Sequence, residues 1–149
     1  MERGFLSAIL TRLRYIGVDV VVFGGWAEEL RGLRPSGSHS DVDLLYFADS
    51  FDPLDRSIDA APDLIEIREK RLAHKRAFVY QDVRVELFLV SRDEQGFFTP
   101  FWGTKRYRWP LDTHGSLIEG LPVAAREALT AYRRDHEDLR DTSGTAAGP

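Results

Sequence analysis

Hydrophobic residues recur along this chain with two different periods. In residues 1–17 the apolar side chains fall three or four positions apart among arginines, which predicts an amphipathic helix. They are Phe5, Ile9, Leu10, Leu13 and Ile16. Further along, short apolar runs bounded by glycine and polar residues are typical of strands. We therefore expect strands at residues 18–23 and 42–47.

A β-hairpin is predicted in the middle of the chain. Residues 77–80 and 83–90 are two apolar runs separated by Gln81 and Asp82, a spacing that indicates two strands joined by a tight turn. Residues 64–72 are ambiguous, and a strand is favoured at their beginning.

Helices are expected between and after these strands. A short helix at 26–33 follows the first strand, and another at 53–61 has Asp52 as its expected cap and Pro53 at its first position. A longer helix is predicted at 122–139, again after a proline start.

These elements predict a single α/β (α+β) domain in which helices flank a small mixed β-sheet. A chain of 149 residues can bury one substantial core. The expected bounds of the domain are residues 1–140. Residues 141–149 lack bulky side chains and are expected to form a disordered tail.

Candidate chemistry is concentrated where the second strand begins. Alternate residues of a strand point to the same face, so Asp41 and Asp43 are expected to project side by side. Adjacent carboxylates repel each other unless a cation lies between them, and their oxygens suit Mg²⁺. After the first strand, Gly24 and Gly25 offer backbone N–H groups to an anion without a Cβ in the way. A metal ion beside a phosphate group is the resulting hypothesis.

A third acid, Glu86, lies among apolar residues of the second hairpin strand. An ionised carboxylate is costly to bury in such a run unless it is paired or bound to a metal. On its own, Glu86 is better explained as a charge on the solvated face of a half-exposed strand. Together with Asp41 and Asp43 it favours a shared site.

Seven residues of the chain resemble the motifs of small antibiotic nucleotidyltransferases. They are Gly24, Gly25, Trp26, His39, Asp41, Asp43 and Glu86. The likeness is to the lincosamide and aminoglycoside 2''-adenylyltransferase group of the DNA polymerase β-like nucleotidyltransferase superfamily. It implies a nucleotidyltransferase fold, two Mg²⁺ ions, and ATP or another nucleoside triphosphate as co-substrate. It also implies transfer of a nucleoside monophosphate to a hydroxyl of a small molecule, such as a lincosamide or aminoglycoside antibiotic, with release of pyrophosphate.

The resemblance gives the acids their roles. Asp41 and Asp43 would be catalytic residues and metal ligands. Glu86 would either complete the metal site or take the proton from the acceptor hydroxyl, which requires hydrogen-bond reach to that group.

Contacts with the triphosphate are implied for Gly24, Gly25 and His39. A plain tight turn and an orienting role for the histidine are the structural alternatives. Relatives usually carry an arginine close before the histidine, whereas residues 36–38 here are Ser-Gly-Ser. The cations that could neutralise phosphate in its place, or simply be surface charges, are Arg31, Arg34, Lys75 and Arg76.

An aromatic-rich segment lies at residues 97–109. Its rings belong to Phe97, Phe98, Phe101, Trp102, Tyr107 and Trp109. They could stack on an adenine or a flat acceptor, but packing in the core or at a dimer interface is the favoured interpretation. A homodimer is expected from the resemblance and from this aromatic content. The acidic cluster at 135–138 is expected to be a solvated helix face.

Charge and composition limit the partners. A net charge of −4 argues against binding nucleic acid by bulk electrostatics, and the absence of cysteine excludes disulfides and thiolate metal sites. No apolar run approaches the length of a membrane span, and residues 1–17 do not have the pattern of an export signal. A cytoplasmic location without membrane partners is expected.

Two other functions stay open. The first is protein AMPylation, as in toxin–antitoxin members of the superfamily, which would require a stable protein partner. The second is a nucleotide-binding or scaffold module that has the fold without turnover. The presence of all three acids argues against the second.

Overall fold

The computed structural model describes residues 2–101 and 106–142, with side chains as far as residue 136. Trp102 and the predicted tail from residue 143 onward lie outside the described residues. In the part that is described, no helix combines the length and the apolar character that a membrane crossing needs.

Four α-helices and nine strands make up the described chain. The helices are α1 (Arg3–Tyr15), α2 (Gly24–Leu30), α3 (Asp52–Asp59) and α4 (Arg126–Thr142). The strands are β1 (Val20–Phe23), β2 (Asp41–Phe47), β3 (Ile65–Glu66), β4 (Lys75–Tyr80), β5 (Val83–Asp93), β6 (Gly96–Thr99), β7 (Tyr107–Arg108), β8 (Ser116–Ile118) and β9 (Leu121–Val123). A short 3-10 helix spans Arg68–Lys70.

Seven of the strands follow one another across a mixed sheet in the order β3-β4-β5-β2-β1-β9-β8. β2 lies at its centre, antiparallel to β1 and parallel to β5. The far end of β5 pairs with β6, which in turn pairs with β7. This arrangement confirms the predicted fold class.

The core is built around the central strand. Val42, Leu44 and Leu45 of β2 are fully buried, and because neighbouring residues point to opposite faces, both faces of the strand are covered. Burying each such side chain contributes about 1.5–3 kcal/mol. The amphipathic helix α1 buries Leu6, Ile9, Leu10 and Leu13 in the same core.

The first strand begins later than predicted because Val18 belongs to the end of α1. Gly17 has a φ of +83°, and its N–H donates to the Arg14 carbonyl, while the Val18 N–H donates to the Leu13 carbonyl. These two hydrogen bonds form a Schellman motif, which caps the helix. Val18, the first apolar residue of the predicted strand, therefore belongs to this cap.

The central hairpin has the predicted turn. Gln81 and Asp82 have φ values of 49° and 66°, and Tyr80 pairs with Val83 across a two-residue loop, as in a type I′ turn. Both strands are longer than expected. The earlier start of β4 places Lys75 inside the sheet.

The expected cap of α3 is displaced. Asp52 is the first residue of the helix and Pro53 the second, while Phe51 is the N-cap residue and makes no side-chain cap bond. The Asp52 N–H donates to Ser50 Oγ over 3.2 Å, so a serine outside the helix binds the terminal amide.

The long helix starts at Arg126, so the prediction of a helix from residue 122 is wrong at its start. Residues 121–123 form β9, in which Leu121 and Val123 are buried on either side of Pro122. Val123 pairs with Val22, and the Ala124 N–H donates to the Val22 carbonyl. Pairing with β1 therefore overrides the helix-start signal of the proline.

Candidate active site

Gly24 and Gly25 form the turn from β1 into α2, and each makes room for different side chains. Gly24 has a φ of +62°, and a Cβ there would overlap the carboxylate of Asp43. A Cβ at Gly25 would lie 2.8 Å from Nη1 of Arg34 and 3.1 Å from Nδ1 of His39. The glycine pair thus brings a carboxylate, a guanidinium and an imidazole against the backbone of the turn.

The three predicted acids lie on one face of the sheet. The parallel register of β2 and β5 sets Asp43 opposite Glu86 and Asp41 opposite Arg84. Paired residues of neighbouring strands point to the same side, as do alternate residues of one strand. Asp41, Asp43 and Glu86 therefore share a face beside the glycine turn.

Asp43 is the acid whose charge is least compensated. Its side chain is half-buried, and its pKa is raised to about 7, first by burial and then by repulsion from Glu86 and Asp41. Lys75 and Arg84 oppose this rise. A metal cation at this carboxylate would favour its ionised form.

Asp41 has a direct cationic partner. Nη2 of Arg84 donates to Oδ2 of Asp41 over 2.6 Å, and this hydrogen bond is the main cause that raises the Arg84 pKa. Nε of Arg84 also lies 3.5 Å from Oε2 of Glu86. Arg84 thus bridges two of the three acids.

Glu86 is buried and surrounded by cations. Nζ of Lys75 lies 3.1 Å from Oε1, and Nζ of Lys70 lies 3.4 Å from Oε2. Lys75 reaches it diagonally across the β4–β5 pair, where Phe88 is opposite Lys75 and Ala77 is opposite Glu86. The acid is therefore not a solvated charge on an exposed strand face, since its side chain is only 10% exposed.

The donor set fits Mg²⁺, although no ready-made cage is present. Among the described residues, no three His, Asp or Glu side chains are arranged as ligands of a single ion. Proteins usually hold Mg²⁺ at phosphate-transfer sites with one or two carboxylates together with phosphate oxygens. Asp41 and Asp43 can supply such a carboxylate pair.

The side chain of His39 is buried against two residues of α2, Trp26 and Glu29. Its Nε2 lies 2.9 Å from Oε1 of Glu29, and its ring stacks on Trp26 with the ring centroids 4.1 Å apart. The hydrogen bond with His39 is the main cause that lowers the Glu29 pKa. These contacts orient the loop before β2, and they agree with the structural alternative for His39.

Two of the four candidate phosphate-binding cations are held in internal contacts elsewhere. Nε of Arg31 donates to the Ala124 carbonyl over 3.0 Å, and its Nη2 donates to the Val123 carbonyl over 2.9 Å, which ties α2 to the end of β9. Arg76 donates to both carboxylate oxygens of Asp55. Of the four, Arg34 and Lys75 lie at the site.

Two adjoining cavities open beside Asp43. The larger, of about 310 Å³, lies between the glycine turn and α4, and its lining includes Gly24, Glu28, Asp43, Tyr132, Arg133 and His136. The smaller, of about 170 Å³, is lined in part by Leu72, His74, Lys75, Glu86 and Phe101. Asp43, Phe88, Tyr132 and His136 contribute to both. Asp43 thus stands at the junction of the two cavities, and Glu86 lines the smaller one.

The aromatic segment contributes mainly to the core, as the favoured interpretation predicted. Phe101 and Trp109 are buried, and Trp109 stacks on Tyr132 with the ring centroids 5.6 Å apart. Tyr107 donates its hydroxyl to Asp135 of the α4 cluster over 3.1 Å. Phe101 also lines the smaller cavity, so part of this packing forms a wall of the site.

Among the described residues, four charged residues of the site were not identified from the sequence: Glu28, Lys70, Arg84 and Arg133. Arg84 could have been found, because it stands two positions before Glu86, just as Asp41 precedes Asp43. Lys70 and the Glu28–Arg133 contact depend on tertiary structure and have no local signal.

Solved structures show which fold this is. The lincosamide antibiotic adenylyltransferase LnuA, with lincomycin bound, matches over 97% of this chain and 98% of its own with a TM-score of 0.70 and 13% identity. ANT(2'')-Ia, in complex with adenylyl-2''-tobramycin, matches over 98% of this chain and 80% of its own with a TM-score of 0.62 and 16% identity. This chain has the nucleotidyltransferase fold.

The nucleotidyltransferase fold was the fold implied by the seven motif residues, and that prediction is confirmed. No protein-family model matches the sequence, and no curated protein matches it either. At identities this low the likeness concerns the fold, so the chemistry has to be argued from the residues of the site.

Proposed function

We propose that this protein is a Mg²⁺-dependent nucleotidyltransferase that transfers AMP from ATP to a hydroxyl group of a small molecule. The observation that carries the proposal is the common sheet face of Asp41, Asp43 and Glu86, directly beside the Gly24 turn, in a chain with this fold. The raised pKa of Asp43 supports it, because neighbouring cations do not neutralise this carboxylate and a bound metal ion would stabilise its ionised form.

Asp41 and Asp43 would hold two Mg²⁺ ions, which when bound would neutralise charge on the phosphate oxygens. Of the four candidate cations, Arg34, held over Gly25, would face the nucleotide, whereas Lys75 lines the smaller cavity and pairs with Glu86. Because Gly24 and Gly25 have no side chains, the phosphates could approach the backbone of the turn.

The reaction forms a bond between the acceptor oxygen and the α-phosphorus of ATP. The bond from the α-phosphorus to the oxygen that bridges it to the β-phosphorus breaks, and pyrophosphate leaves with that oxygen. The proton of the acceptor hydroxyl goes to Glu86. Lys70 and Lys75 fix the position of this carboxylate, and position is the first requirement of a general base.

The smaller cavity is the proposed place of the acceptor. Phe88 and Phe101 give it aromatic surface, and the charge of Glu86 is offset by neighbouring cations. Burial, followed by repulsion from Lys75, lowers the pKa of His74 to about 4, so this imidazole is neutral at pH 7. The lining also contains two acids, Asp43 and Glu86, beside one lysine, Lys75. Lincosamides and aminoglycosides are therefore both acceptors to be tested.

Titration calorimetry of ATP into the protein, with Mg²⁺ and with EDTA, tests the nucleotide site. We expect binding that requires Mg²⁺ and that Asp43→Asn abolishes, whereas Asp19→Asn, an exposed acid before β1, binds like the wild type. Binding that survives in EDTA and in Asp43→Asn would refute the metal site.

Release of pyrophosphate with lincosamide and aminoglycoside acceptors then tests turnover. Release with a hydroxyl acceptor, lost in Glu86→Gln, is the expected result. Transfer of AMP to a protein instead would indicate protein AMPylation, and binding without transfer would indicate a module without turnover. The homodimer and the cytoplasmic location stay predictions, to be measured by light scattering and by cell fractionation.

A further inference from the structure

We propose that Glu28 occupies a phosphate position in the nucleotide-free protein, and that Arg133 of α4 is the phosphate-binding residue it holds in place. This inference rests on the proposed function. It adds two residues to the nucleotide site, one that binds the triphosphate and one that the triphosphate displaces.

Two arginines from distant parts of the chain converge on one carboxylate oxygen. Oε1 of Glu28 lies 3.0 Å from Nη2 of Arg133 and 3.5 Å from Nη1 of Arg34. The Glu28 side chain is only 13% exposed, whereas those of Arg133 and Arg34 are 63% and 43% exposed. The carboxylate is therefore set inside the cavity, and the guanidinium groups reach it from the rim.

The convergence lies where a bound triphosphate would extend. Glu28 and Arg133 both line the larger cavity, together with Gly24 and the proposed metal ligand Asp43. Nη1 of Arg34 lies beside Gly25, 2.8 Å from the position that a Cβ of any other residue would occupy. The Glu28 carboxylate thus connects one guanidinium group beside Gly25 with another that shares the larger cavity with Gly24 and Asp43.

A carboxylate and a phosphate group can each offer a pair of negatively charged oxygen atoms to arginine. A guanidinium group makes paired hydrogen bonds to either, and phosphate carries the greater charge. Glu28 therefore keeps both arginines at the cavity while no nucleotide is bound. When ATP enters, its phosphate oxygens replace the carboxylate, and the negative charge of Glu28 opposes the ligand.

A purely structural ion pair between α2 and α4 makes a different prediction. Loss of either partner would then lower thermal stability slightly and leave ATP affinity unchanged. In the proposed arrangement the two residues have opposite effects on ATP affinity, because one attracts the phosphates and the other competes with them.

The experiment measures the Kd of ATP with Mg²⁺ by calorimetry for the wild type and three single variants. We expect Arg133→Gln to weaken binding by about tenfold or more, and Glu28→Gln to strengthen it by about threefold to tenfold. Arg134→Gln is the matched control, since this neighbouring arginine on α4 pairs with Asp135, and it should stay within about twofold of the wild type. Thermal melting of each variant confirms that it is folded.

The double variant Glu28→Gln/Arg133→Gln tests whether the two residues act on the same group. We expect the gain in ATP affinity from Glu28→Gln to be smaller once Arg133 is absent, because the carboxylate then holds Arg34 but no longer competes for Arg133. Equal gains with and without Arg133 would mean that the two residues act independently and would overturn the inference. Inorganic tripolyphosphate, used as a competitor of ATP, should lose affinity in Arg133→Gln by the same factor as ATP does.

The outcomes separate this inference from the proposed function. If the wild type binds and turns over ATP while Arg133→Gln binds it equally well, the inference is wrong and the proposed function stands. Weaker ATP binding by Glu28→Gln would also overturn it, because Glu28 would then support the site rather than compete for it. A folded wild-type protein that binds no ATP would overturn both.

Discussion

Asp43 on β2 and Glu86 on β5 occupy paired positions in a parallel register, and their mutual repulsion helps to raise the pKa of Asp43 to about 7. The repulsion between the two carboxylates favours binding of a cation, but it destabilises the folded protein when no cation is bound. This loss of stability depends on pH, because the repulsion arises only when Asp43 loses its proton.

Asp43→Asn is expected to stabilise the protein at pH 8 and to leave it almost unchanged at pH 4. In the unfolded chain the pKa of an aspartate is near 3.8, so between about pH 4 and 7 the folded state binds more protons than the unfolded state. The free energy of unfolding of the wild type therefore falls as pH rises through this window, at about 1.4 kcal/mol per unit for this group. Urea denaturation at both pH values measures the difference.

The control for this comparison is Asp19→Asn, which changes an exposed acid. Its effect on the free energy of unfolding should be small at both pH values, because the side chain is exposed. An Asp43→Asn effect that is the same at both pH values would show that the carboxylate ionises normally in the folded protein.

Mg²⁺ is expected to raise the melting temperature of the wild type more at pH 8 than at pH 6. A metal ion binds the ionised carboxylate, so its binding competes with the proton on Asp43. Differential scanning fluorimetry with a Mg²⁺ series at each pH gives the comparison, and Ca²⁺ serves as a second cation. An equal Mg²⁺ shift in Asp43→Asn would place the ion elsewhere on the protein.

Gly24→Ala is expected to destabilise the protein by more than Gly32→Ala. Both glycines have positive φ, at +62° and +74°, so both substitutions strain the backbone by about 1 kcal/mol or more. A Cβ at Gly32 would meet none of the described residues within 4 Å, whereas at Gly24 the Asp43 carboxylate must move. The difference in unfolding free energy between the two variants isolates that collision, and Mg²⁺-dependent ATP binding should be lost in Gly24→Ala alone.

Lys75→Met is expected to destabilise the protein by about 3 kcal/mol, because it removes a buried partner of Glu86. Adding Glu86→Gln should restore much of the loss, since the remaining side chain no longer carries a buried charge. Urea denaturation of the two single variants and the double variant gives the coupling energy. If the two substitutions had strictly additive effects on the free energy of unfolding, the 3.1 Å contact between Lys75 and Glu86 would contribute nothing to stability.

Much of the site follows from local spacing. Asp41 and Asp43 are two residues apart on a strand, which fixes their common face, and the glycine pair marks the end of the preceding strand. We inferred that Glu86 belongs to the same site because it is a third acid within an apolar strand and because the resemblance to the family implies it. The parallel pairing of β2 with β5 has no signature in either strand, because both begin with alternating polar and apolar residues, a pattern typical of antiparallel strands as well.

Other features depend on contacts that no local pattern encodes. The proline at 122 carries a helix-start signal, but pairing of Val123 with Val22 makes the segment a strand. Arg31 resembles a phosphate-binding cation in sequence, yet backbone carbonyls of the β9 region occupy its guanidinium group. The contact between Glu28 and Arg133 joins residues 105 positions apart, so only the folded chain reveals it.

The central position of β2 has a consequence for motion. This strand is hydrogen-bonded on both edges and buried on both faces, so its amide protons should be among the last to exchange with solvent. Strands β3 and β8, at the two ends of the sheet, can fray without disturbing it. The spacing between Asp41 and Asp43 is thus set by a strand that is paired on both edges, and the two carboxylates should keep that spacing when the ends of the sheet open.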